Sequence, residues 1–177
     1  MKTCLILIDN QQALFDEGPE DAAGLVTRLE TLLAAARNTG VPVVHVQHEE
    51  PDSPLEAESP GWEIHPALAP REGEARFRKT VNSAFKETGL EAWLKDRGIT
   101  DLVIGGMQTE YCIDVSVKSA FERGFRVTVP LGGHTTVSNG SLTGAQLNEF
   151  YSKRIWRGRF AAVEAVGAIV EGFKQGN

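Results

Sequence analysis

Residues 102–113 read Leu-Val-Ile-Gly-Gly-Met-Gln-Thr-Glu-Tyr-Cys-Ile, and the expected architecture follows from this stretch. Its first three residues form an apolar run that is typical of a strand buried on both faces of a parallel sheet. Two glycines and a polar turn follow, and Thr109 is a candidate N-cap for a helix that ends at Gly124. The stretch therefore predicts a strand, a tight turn and a helix, with Cys112 in the first turn of that helix.

Apolar runs of the same kind recur along the chain and do not alternate cleanly between apolar and polar residues. Such continuous runs suit the buried strands of a parallel sheet better than strands with one face in water. Together with the stretch above they predict strands at residues 4–8, 43–46, 102–104 and 125–129. Short strands near residues 77–80 and 160–162 would bring the sheet to about six strands.

Helical patterns lie between these runs. Leucines and alanines recur at helical spacing over residues 25–36, and Gly40 supplies a stop. Thr88 and Glu91 predict a capping box ahead of another helix, and residues 163–173 predict a last helix. This alternation indicates a doubly wound, Rossmann-like α/β fold with three layers, in which helices cover both faces of a mostly parallel sheet of about six strands.

The composition is that of a globular protein, with 41% hydrophobic and 24% charged residues in a chain of 177. We expect a single domain over residues 1–177. The net charge of -6 argues against nucleic acid or an anionic membrane surface as the main partner, because both require a basic surface. The apolar run at residues 5–8 is too short for a signal peptide, and two cysteines make a poor disulfide framework. These features predict a cytoplasmic protein.

Three side chains with useful chemistry come at or just after the ends of predicted strands: Asp9, Lys79 and Cys112. Open α/β sheets bind their ligands at the carboxyl ends of the strands. A thiol in the first turn of a helix, beside an ammonium group, is expected to ionise to the nucleophilic thiolate. A carboxylate at the same place could accept the thiol proton and later return it to a leaving group.

Each of these residues also has a plain structural interpretation. Cys112 would be a small buried hydrophobic residue, as Cys4 is expected to be inside the first strand. Asp9 would cap a turn, and Lys79 would point to solvent. The spacing of the three residues does not by itself show that they meet.

Three stretches carry a resemblance to a known family. Residues 5–12 read Leu-Ile-Leu-Ile-Asp-Asn-Gln-Gln, and residues 77–85 read Phe-Arg-Lys-Thr-Val-Asn-Ser-Ala-Phe. With residues 102–113 they stand in the order found in the isochorismatase-like cysteine hydrolase superfamily, which this chain resembles. That superfamily includes nicotinamidases and N-carbamoylsarcosine amidases.

The resemblance implies that Asp9, Lys79 and Cys112 form a catalytic triad. It also implies a cis peptide bond between Met107 and Gln108, with the backbone N–H groups of Gln108 and Cys112 as oxyanion donors. The implied reaction is hydrolysis of a C–N bond in a small amide, ureido or carbamoyl substrate through a thioester on Cys112. No cofactor is implied, and relatives of this kind often form homodimers or homotetramers.

Nicotinamidases of the superfamily hold a metal ion with an Asp and His residues after the second strand. Here residues 45–50 read His-Val-Gln-His-Glu-Glu, without the Asp-x-His pattern. We therefore expect no metal site, with a site formed by His48, Glu49 and His65 as the alternative. This departure also argues against nicotinamidase activity.

Pocket residues are expected near the same strand ends, because small-molecule pockets combine aromatic walls with a few polar groups. The candidates are Gln11, Phe15, His48, Trp62 and Tyr111.

Two features stay open at this level. His134 follows the last central strand and could line the site, although a turn or interface role fits it better. Residues 49–74 form a loop that is too long for a simple connector, so that the loop is either a functional cover or a solvated excursion.

Three rival functions fit the same fold. Isochorismatase proper cleaves a vinyl ether by acid chemistry that does not need the cysteine. A scaffold protein would keep the fold without any reactivity, and a thiol redox sensor would oxidise Cys112 reversibly. The presence of Asp9, Lys79 and Cys112 together favours the covalent hydrolase.

Overall fold

The computed structural model describes residues 2–176 and contains a seven-stranded sheet with helices on both faces. Among these residues, no helix combines the length and the apolar character needed to cross a membrane. In chain order the elements are β1 (Thr3–Ile8), α1 (Gln12–Asp16), α2 (Ala22–Thr39), β2 (Val43–His48), β3 (Ala75–Lys79), α3 (Leu90–Asp96), β4 (Asp101–Met107), α4 (Asp114–Glu122), β5 (Arg126–Pro130), β6 (His134–Thr135), α5 (Gly144–Phe150), β7 (Ala162–Glu164) and α6 (Val166–Gln175).

The strands follow the order β3-β2-β1-β4-β5-β7, and the short strand β6 pairs with the carboxyl end of β4. Every strand pairing among these elements is parallel. The predicted doubly wound α/β fold is thus confirmed. The prediction missed β6, because the two residues His134 and Thr135 contain no apolar run that could have indicated a strand.

The strand order reverses between β1 and β4. From β1 the chain moves outward through β2 to β3, and it then returns to add β4, β5 and β7 on the other side. The loops that leave β1 and β4 therefore diverge and open a crevice at the carboxyl edge of the sheet. Asp9 directly follows β1, Lys79 ends β3, and the turn that carries Cys112 follows β4. The topology therefore brings all three residues to one edge.

The side chains of β1 alternate between two hydrophobic cores. Leu5 and Leu7 pack with α2 and α6, whereas Ile6 and Ile8 pack with α3 and α4. All four side chains are at most 1% exposed. Because both faces of β1 are buried, its sequence is a continuous apolar run rather than an alternating one.

The predicted capping box of Thr88 and Glu91 is wrong. Gly89 is the N-cap of α3 with a φ of 75°, and the Thr88 hydroxyl donates to a carbonyl four residues earlier. Glycine adopts this left-handed conformation without the steric cost that other residues have, so that it replaces threonine at the cap. A capping box is present at α5 instead, between Thr143 and Gln146.

Gly106 allows β4 to lie close to β1 at the crevice. Its φ is 128°, and a Cβ atom at this position would lie 1.9 Å from the carbonyl oxygen of Ile8. Both the backbone conformation and the available space therefore require glycine. The next residues of the chain form the turn that leads to Cys112, so that this close approach also sets where the turn begins.

We expect Gly106→Ala to lower the free energy of unfolding by at least about 2 kcal/mol, because it combines a strained φ with overlap on backbone atoms. Gly167→Ala is the matched control: nothing lies within 4 Å of its added Cβ, and alanine in a helix is favoured by up to about 1 kcal/mol. Urea unfolding followed by circular dichroism measures both variants. Equal stability of the two variants would contradict the steric argument.

Candidate active site

Lys79, Asp9 and Cys112 meet below the surface of the crevice. Lys79 Nζ lies 2.7 Å from Asp9 Oδ2 and donates a hydrogen bond of 3.1 Å to Cys112 Sγ. The three residues are 2%, 1% and 9% exposed, respectively. The structure thus brings together three side chains that are far apart in sequence, and Lys79 does not point to solvent.

Local backbone geometry aims these side chains at one another. Asp9 adopts a left-handed φ of 51° directly after β1, and its N–H donates to Val46 O at 2.8 Å. Aspartate is one of the few residues other than glycine that tolerates this conformation. Lys79 is fixed by the last pairing of β3, opposite His48 of β2.

Burial, followed by the charge of Asp9, raises the pKa of the Cys112 thiol to about 12, although Lys79 opposes this shift. At neutral pH the resting sulfur is therefore a protonated thiol. This differs from the thiolate that the sequence led us to expect. Removal from water disfavours the charged sulfur, and the Asp9 carboxylate offsets the help that a nearby ammonium would give.

The partners of Cys112 differ in what they can do. Burial by itself lowers the pKa of Lys79, but Asp9 and then Cys112 raise it, and the net shift is upward. Lys79 is therefore a permanent ammonium near neutral pH. Asp9 Oδ1 is buried without a hydrogen-bond partner among residues 2–176, and ligand atoms of Asp9 and Cys112 lie within 4.8 Å of each other. Asp9 is thus placed to accept the thiol proton.

His48 and Gln11 form a supporting layer beside the ammonium. His48 Nδ1 lies 3.2 Å from Lys79 Nζ. The Gln11 amide clamps the His48 backbone twice, because its Nε2 donates to His48 O and its Oε1 accepts from His48 N, both at 2.8 Å. Burial, and then the charge of Lys79, lower the pKa of His48. The neutral imidazole therefore accepts a hydrogen bond from the ammonium.

The turn that carries the sulfur begins with a cis peptide bond between Met107 and Gln108. A π-helical turn over Thr109–Ile113 follows, and Gln108, not Thr109, is its N-cap. Thr109 does not cap the helix because its side chain is buried and bonded elsewhere. Cys112 lies in this turn, and the N–H groups of its neighbours Tyr111 and Ile113 both donate to Gln108 O at 3.2 Å.

His134 stabilises this turn through a hydrogen bond with Thr109. Its Nδ1 lies 2.8 Å from Thr109 Oγ1 and its Nε2 lies 2.7 Å from Ser152 Oγ. Because Thr109 Oγ1 donates to Asn148 Oδ1 at 2.6 Å, the hydrogen atom of His134 resides on Nδ1. Burial lowers the pKa of His134 to about 3, so that the ring is neutral. His134 therefore neither lines the crevice nor forms a turn, but supports the start of the helix.

A cavity of about 150 Å³, here called the reaction cavity, opens over the sulfur. Two of the five predicted pocket residues, His48 and Tyr111, line it. Gln11 supports His48 from behind, Phe15 packs on the ring of His65, and Trp62 is buried under Arg78. The full lining is Asp9, Leu14, His48, Glu50, Leu55, Asn82, Gln108, Tyr111 and Cys112.

Sequence analysis missed four of these lining residues. Asn82, whose Oδ1 lies 3.7 Å from Cys112 Sγ, belongs to the stretch at 77–85 and could have been found there. Leu14, Glu50 and Leu55 lie on α1 and on the long loop at 49–74. No motif marks them, because their place depends on how the loop folds back over β1. This part of the loop forms a wall of the reaction cavity and is not a purely solvated excursion.

Asp9, His48 and Cys112 each place a possible metal ligand within 4.8 Å of the other two. Lys79 Nζ lies 2.7, 3.2 and 3.1 Å from their Oδ2, Nδ1 and Sγ atoms. The ammonium therefore occupies the space that an ion held by these groups would need. His65, from the alternative ligand set, instead accepts a hydrogen bond at Nδ1 from the backbone of its own turn, at 3.3 Å.

The chain is similar to known proteins in sequence and in fold. The family model of the isochorismatase domain matches residues 3–152. A streptothricin hydrolase of Streptomyces noursei is 36% identical over 135 residues, which are 75% of this chain and 49% of that protein, so that this chain spans about half its length. A ureidoacrylate amidohydrolase of Agrobacterium fabrum is 26% identical over 159 residues, 68% of this chain and 70% of that protein.

Among solved structures, an isochorismatase-family protein of Chromobacterium violaceum superposes with a TM-score of 0.88 at 29% identity. The match covers 97% of this chain and 93% of the other. The family model thus includes β1 and β4, which flank the crevice, and the loops that follow them. The structural match to the Chromobacterium violaceum protein extends over nearly the whole chain. On this evidence the chain belongs to the isochorismatase family.

Proposed function

We propose that this chain is a cysteine hydrolase that cleaves the C–N bond of a small amide, ureido or carbamoyl substrate through a thioester on Cys112. One observation carries the proposal: a buried lysine contacts both a carboxylate and a thiol, at 2.7 and 3.1 Å. The names of the two relatives support hydrolysis as the reaction class, and the second name supports an amide bond.

In the first half of the reaction, Asp9 accepts the thiol proton while Cys112 Sγ forms a bond to the substrate carbonyl carbon. The electron pair of the C=O double bond moves to oxygen. The backbone N–H groups of Gln108 and Cys112 would hold that oxyanion. When the C–N bond breaks, Asp9 returns its proton to nitrogen, and the amine leaves.

In the second half, Asp9 accepts a proton from water as the water oxygen attacks the thioester carbonyl. The C–S bond then breaks, the acid product leaves, and the sulfur recovers its proton. Lys79 remains protonated throughout and compensates the negative charge that develops on the sulfur. The neutral resting thiol fits this scheme, because the base that ionises the thiol lies in the same cavity.

Two rival functions have less support. The vinyl-ether reaction does not use a cysteine, whereas here the sulfur is a direct partner of Lys79. A redox sensor that forms an internal disulfide would need a second thiol within reach, but Cys4 is 0% exposed inside β1, and both cysteines are free.

We expect Cys112→Ala to lower amide turnover at least about 10³-fold, because the nucleophile is lost. Amine or ammonia release from a panel of amide, ureido and carbamoyl compounds measures the rate. With the same panel, intact-mass measurement of the wild-type protein should detect an acyl group on Cys112. Full turnover after Cys112 has been alkylated with iodoacetamide would contradict the thioester route and favour acid chemistry.

The pH dependence of alkylation follows from the raised pKa of Cys112. Because only the thiolate reacts, we expect the rate of iodoacetamide labelling to rise about tenfold for each pH unit from pH 7 to 10, without a plateau. Quenched samples analysed by intact mass give the rate. The buried Cys4 is the internal control, since the folded protein should take one label and the unfolded chain two. A plateau near pH 7 would contradict the protonated resting thiol.

Two variants should shift this labelling in opposite directions. Asp9 raises the pKa of Cys112 and Lys79 lowers it, so that Asp9→Asn should label faster at pH 8 and Lys79→Met more slowly. Asp9→Asn should nevertheless lose about 10²- to 10⁴-fold in amide turnover, because the proton acceptor is gone. Labelling of Cys4 in either variant would reveal unfolding. Slower labelling together with an intact Cys4 in Asp9→Asn would contradict the assigned charges.

A further inference from the structure

Asn82 takes no part in the proposed reaction steps, although it lines the reaction cavity and contacts the reacting sulfur. The Cys112 thiol donates a hydrogen bond to Asn82 Oδ1, with 3.7 Å between sulfur and oxygen. Because a thiol is a weak donor, this bond contributes little to the stability of the fold. Its importance lies in where it places the thiol hydrogen.

The thiol hydrogen has two oxygen acceptors near it, and they differ in charge. Asn82 Oδ1 is neutral. Asp9 Oδ1 belongs to a carboxylate and has no hydrogen-bond partner among residues 2–176, although ligand atoms of Asp9 and Cys112 lie within 4.8 Å of each other. At rest the S–H group therefore points to Asn82, and it must rotate about the Cβ–Sγ bond before Asp9 can accept the proton.

The position of Asn82 is fixed by α4, the helix that follows the turn of Cys112. Ser116 Oγ donates to Asn82 O at 3.4 Å and accepts from Ala84 N at 3.0 Å. Ser116 is 0% exposed and lies on α4, one helical turn after Cys112. The segment that leaves β3 after Lys79 is thus tied to the same helix end as the sulfur, so that Asn82 and Cys112 move as one unit.

The other polar atom of the Asn82 side chain is not engaged. Its Nδ2 donates no hydrogen bond to any group among residues 2–176, and Asn82 is an exposed residue. The side-chain amide of Gln108, which also lines the cavity, instead donates to Glu17 at 2.8 Å. Because Nδ2 and Oδ1 belong to one planar amide, a group bonded to the Cys112 sulfur lies within reach of Nδ2.

We propose that Asn82 is a further catalytic residue: its Oδ1 holds the thiol hydrogen at rest, and its Nδ2 donates to an oxygen atom of the bound substrate. The inference rests on the proposed function for the reaction, but both contacts can be tested without turnover. When the Asn82 amide bonds to the substrate, the S–H group is released toward Asp9. Asn82 thereby couples substrate binding to ionisation of the nucleophile.

Infrared spectroscopy of the S–H stretch tests the contact at rest. The band of Cys112 is assigned by its loss in Cys112→Ser. Asn82→Leu has a side chain of similar size without an amide, and it should shift the frequency of this band, because the thiol hydrogen loses its acceptor. Asn38→Leu is the matched control, since Asn38 is an exposed residue of α2 that does not line the reaction cavity. An unchanged band in Asn82→Leu would overturn the inference.

A pair of neutral alkylating reagents tests the Nδ2 donor: iodoacetamide carries an amide oxygen, whereas allyl bromide has no hydrogen-bond acceptor. Each reagent forms a C–S bond on Cys112, breaks its carbon–halogen bond with loss of halide, and releases the thiol proton to solvent. Rates at Cys112 in the folded protein are divided by rates in the unfolded chain, and the two reagents are then compared as a ratio. The thiolate fraction cancels in this ratio, because both reagents need the same thiolate.

Asn82→Leu should lower the ratio of iodoacetamide to allyl bromide about fivefold, which corresponds to the loss of one hydrogen bond. Asn82→Asp keeps the shape of the side chain without the N–H donor and should lower the ratio by a similar factor, whereas Asn38→Leu should leave it unchanged. Absence of label on the buried Cys4 shows that a variant is folded. A wild-type ratio in the folded Asn82 variants would equally overturn the inference.

Turnover of amides separates this inference from the proposed function. If the band and the ratio change as expected but the wild-type protein hydrolyses no amide, the hydrolase proposal fails, and the contacts of Asn82 with the thiol and with a bound carbonyl compound stand. If amides are hydrolysed and folded Asn82→Leu keeps the wild-type kcat/KM, the role of Asn82 fails and the hydrolase stands.

Discussion

The buried ammonium of Lys79 is the group on which the rest of the site depends. An isolated charge at this depth would cost several kcal/mol, and an opposite charge with good geometry must compensate it. Asp9 supplies that charge at 2.7 Å, and His48 and Cys112 accept the remaining hydrogen bonds. Because these partners come from β1, β2 and the turn after β4, the ammonium holds several chain segments at a single point.

This arrangement also controls the reactivity of the sulfur. The ammonium and the carboxylate nearly cancel, and burial then keeps the thiol protonated at rest. The same desolvated surroundings strengthen every electrostatic interaction once a substrate carbonyl is present. The site thus keeps a carboxylate, an ammonium and a neutral thiol within a few ångströms. In the proposed mechanism, the nucleophile forms when the thiol proton moves to Asp9.

Support for the site comes from groups that do not touch the reaction cavity. Gln11 fixes the backbone of His48 with two hydrogen bonds of 2.8 Å, and His134 fixes Thr109 at the start of the π-helical turn that carries Cys112. All of these side chains except His48 are buried. Buried polar groups that are fully bonded hold one geometry, since any other would leave a donor or acceptor unsatisfied.

Local sequence was a good guide to the elements and a poor guide to their ends. The continuous apolar runs predicted the main strands, because a strand that is buried on both faces contains apolar residues at nearly every position. The starts of α3 and of the turn that carries Cys112 were misjudged. Thr88 accepts a hydrogen bond from Leu90 N but lies one residue ahead of the actual N-cap, Gly89, and the Thr109 side chain bonds to His134 and Asn148 instead of capping. The strand β6 had no signal at all. The expected oligomer and cytoplasmic location stay predictions.

The amino-acid sequence by itself determined the α/β architecture and, through its three motifs, predicted Asp9, Lys79 and Cys112 as the candidate site residues. Both depend on local pattern: apolar runs for strands, and chemically distinctive side chains at strand ends. Tertiary structure alone decided the raised pKa of the Cys112 thiol and the walls of the reaction cavity. A pKa depends on desolvation and on charges from distant segments, and a cavity exists only where separate elements fail to fill the space between them.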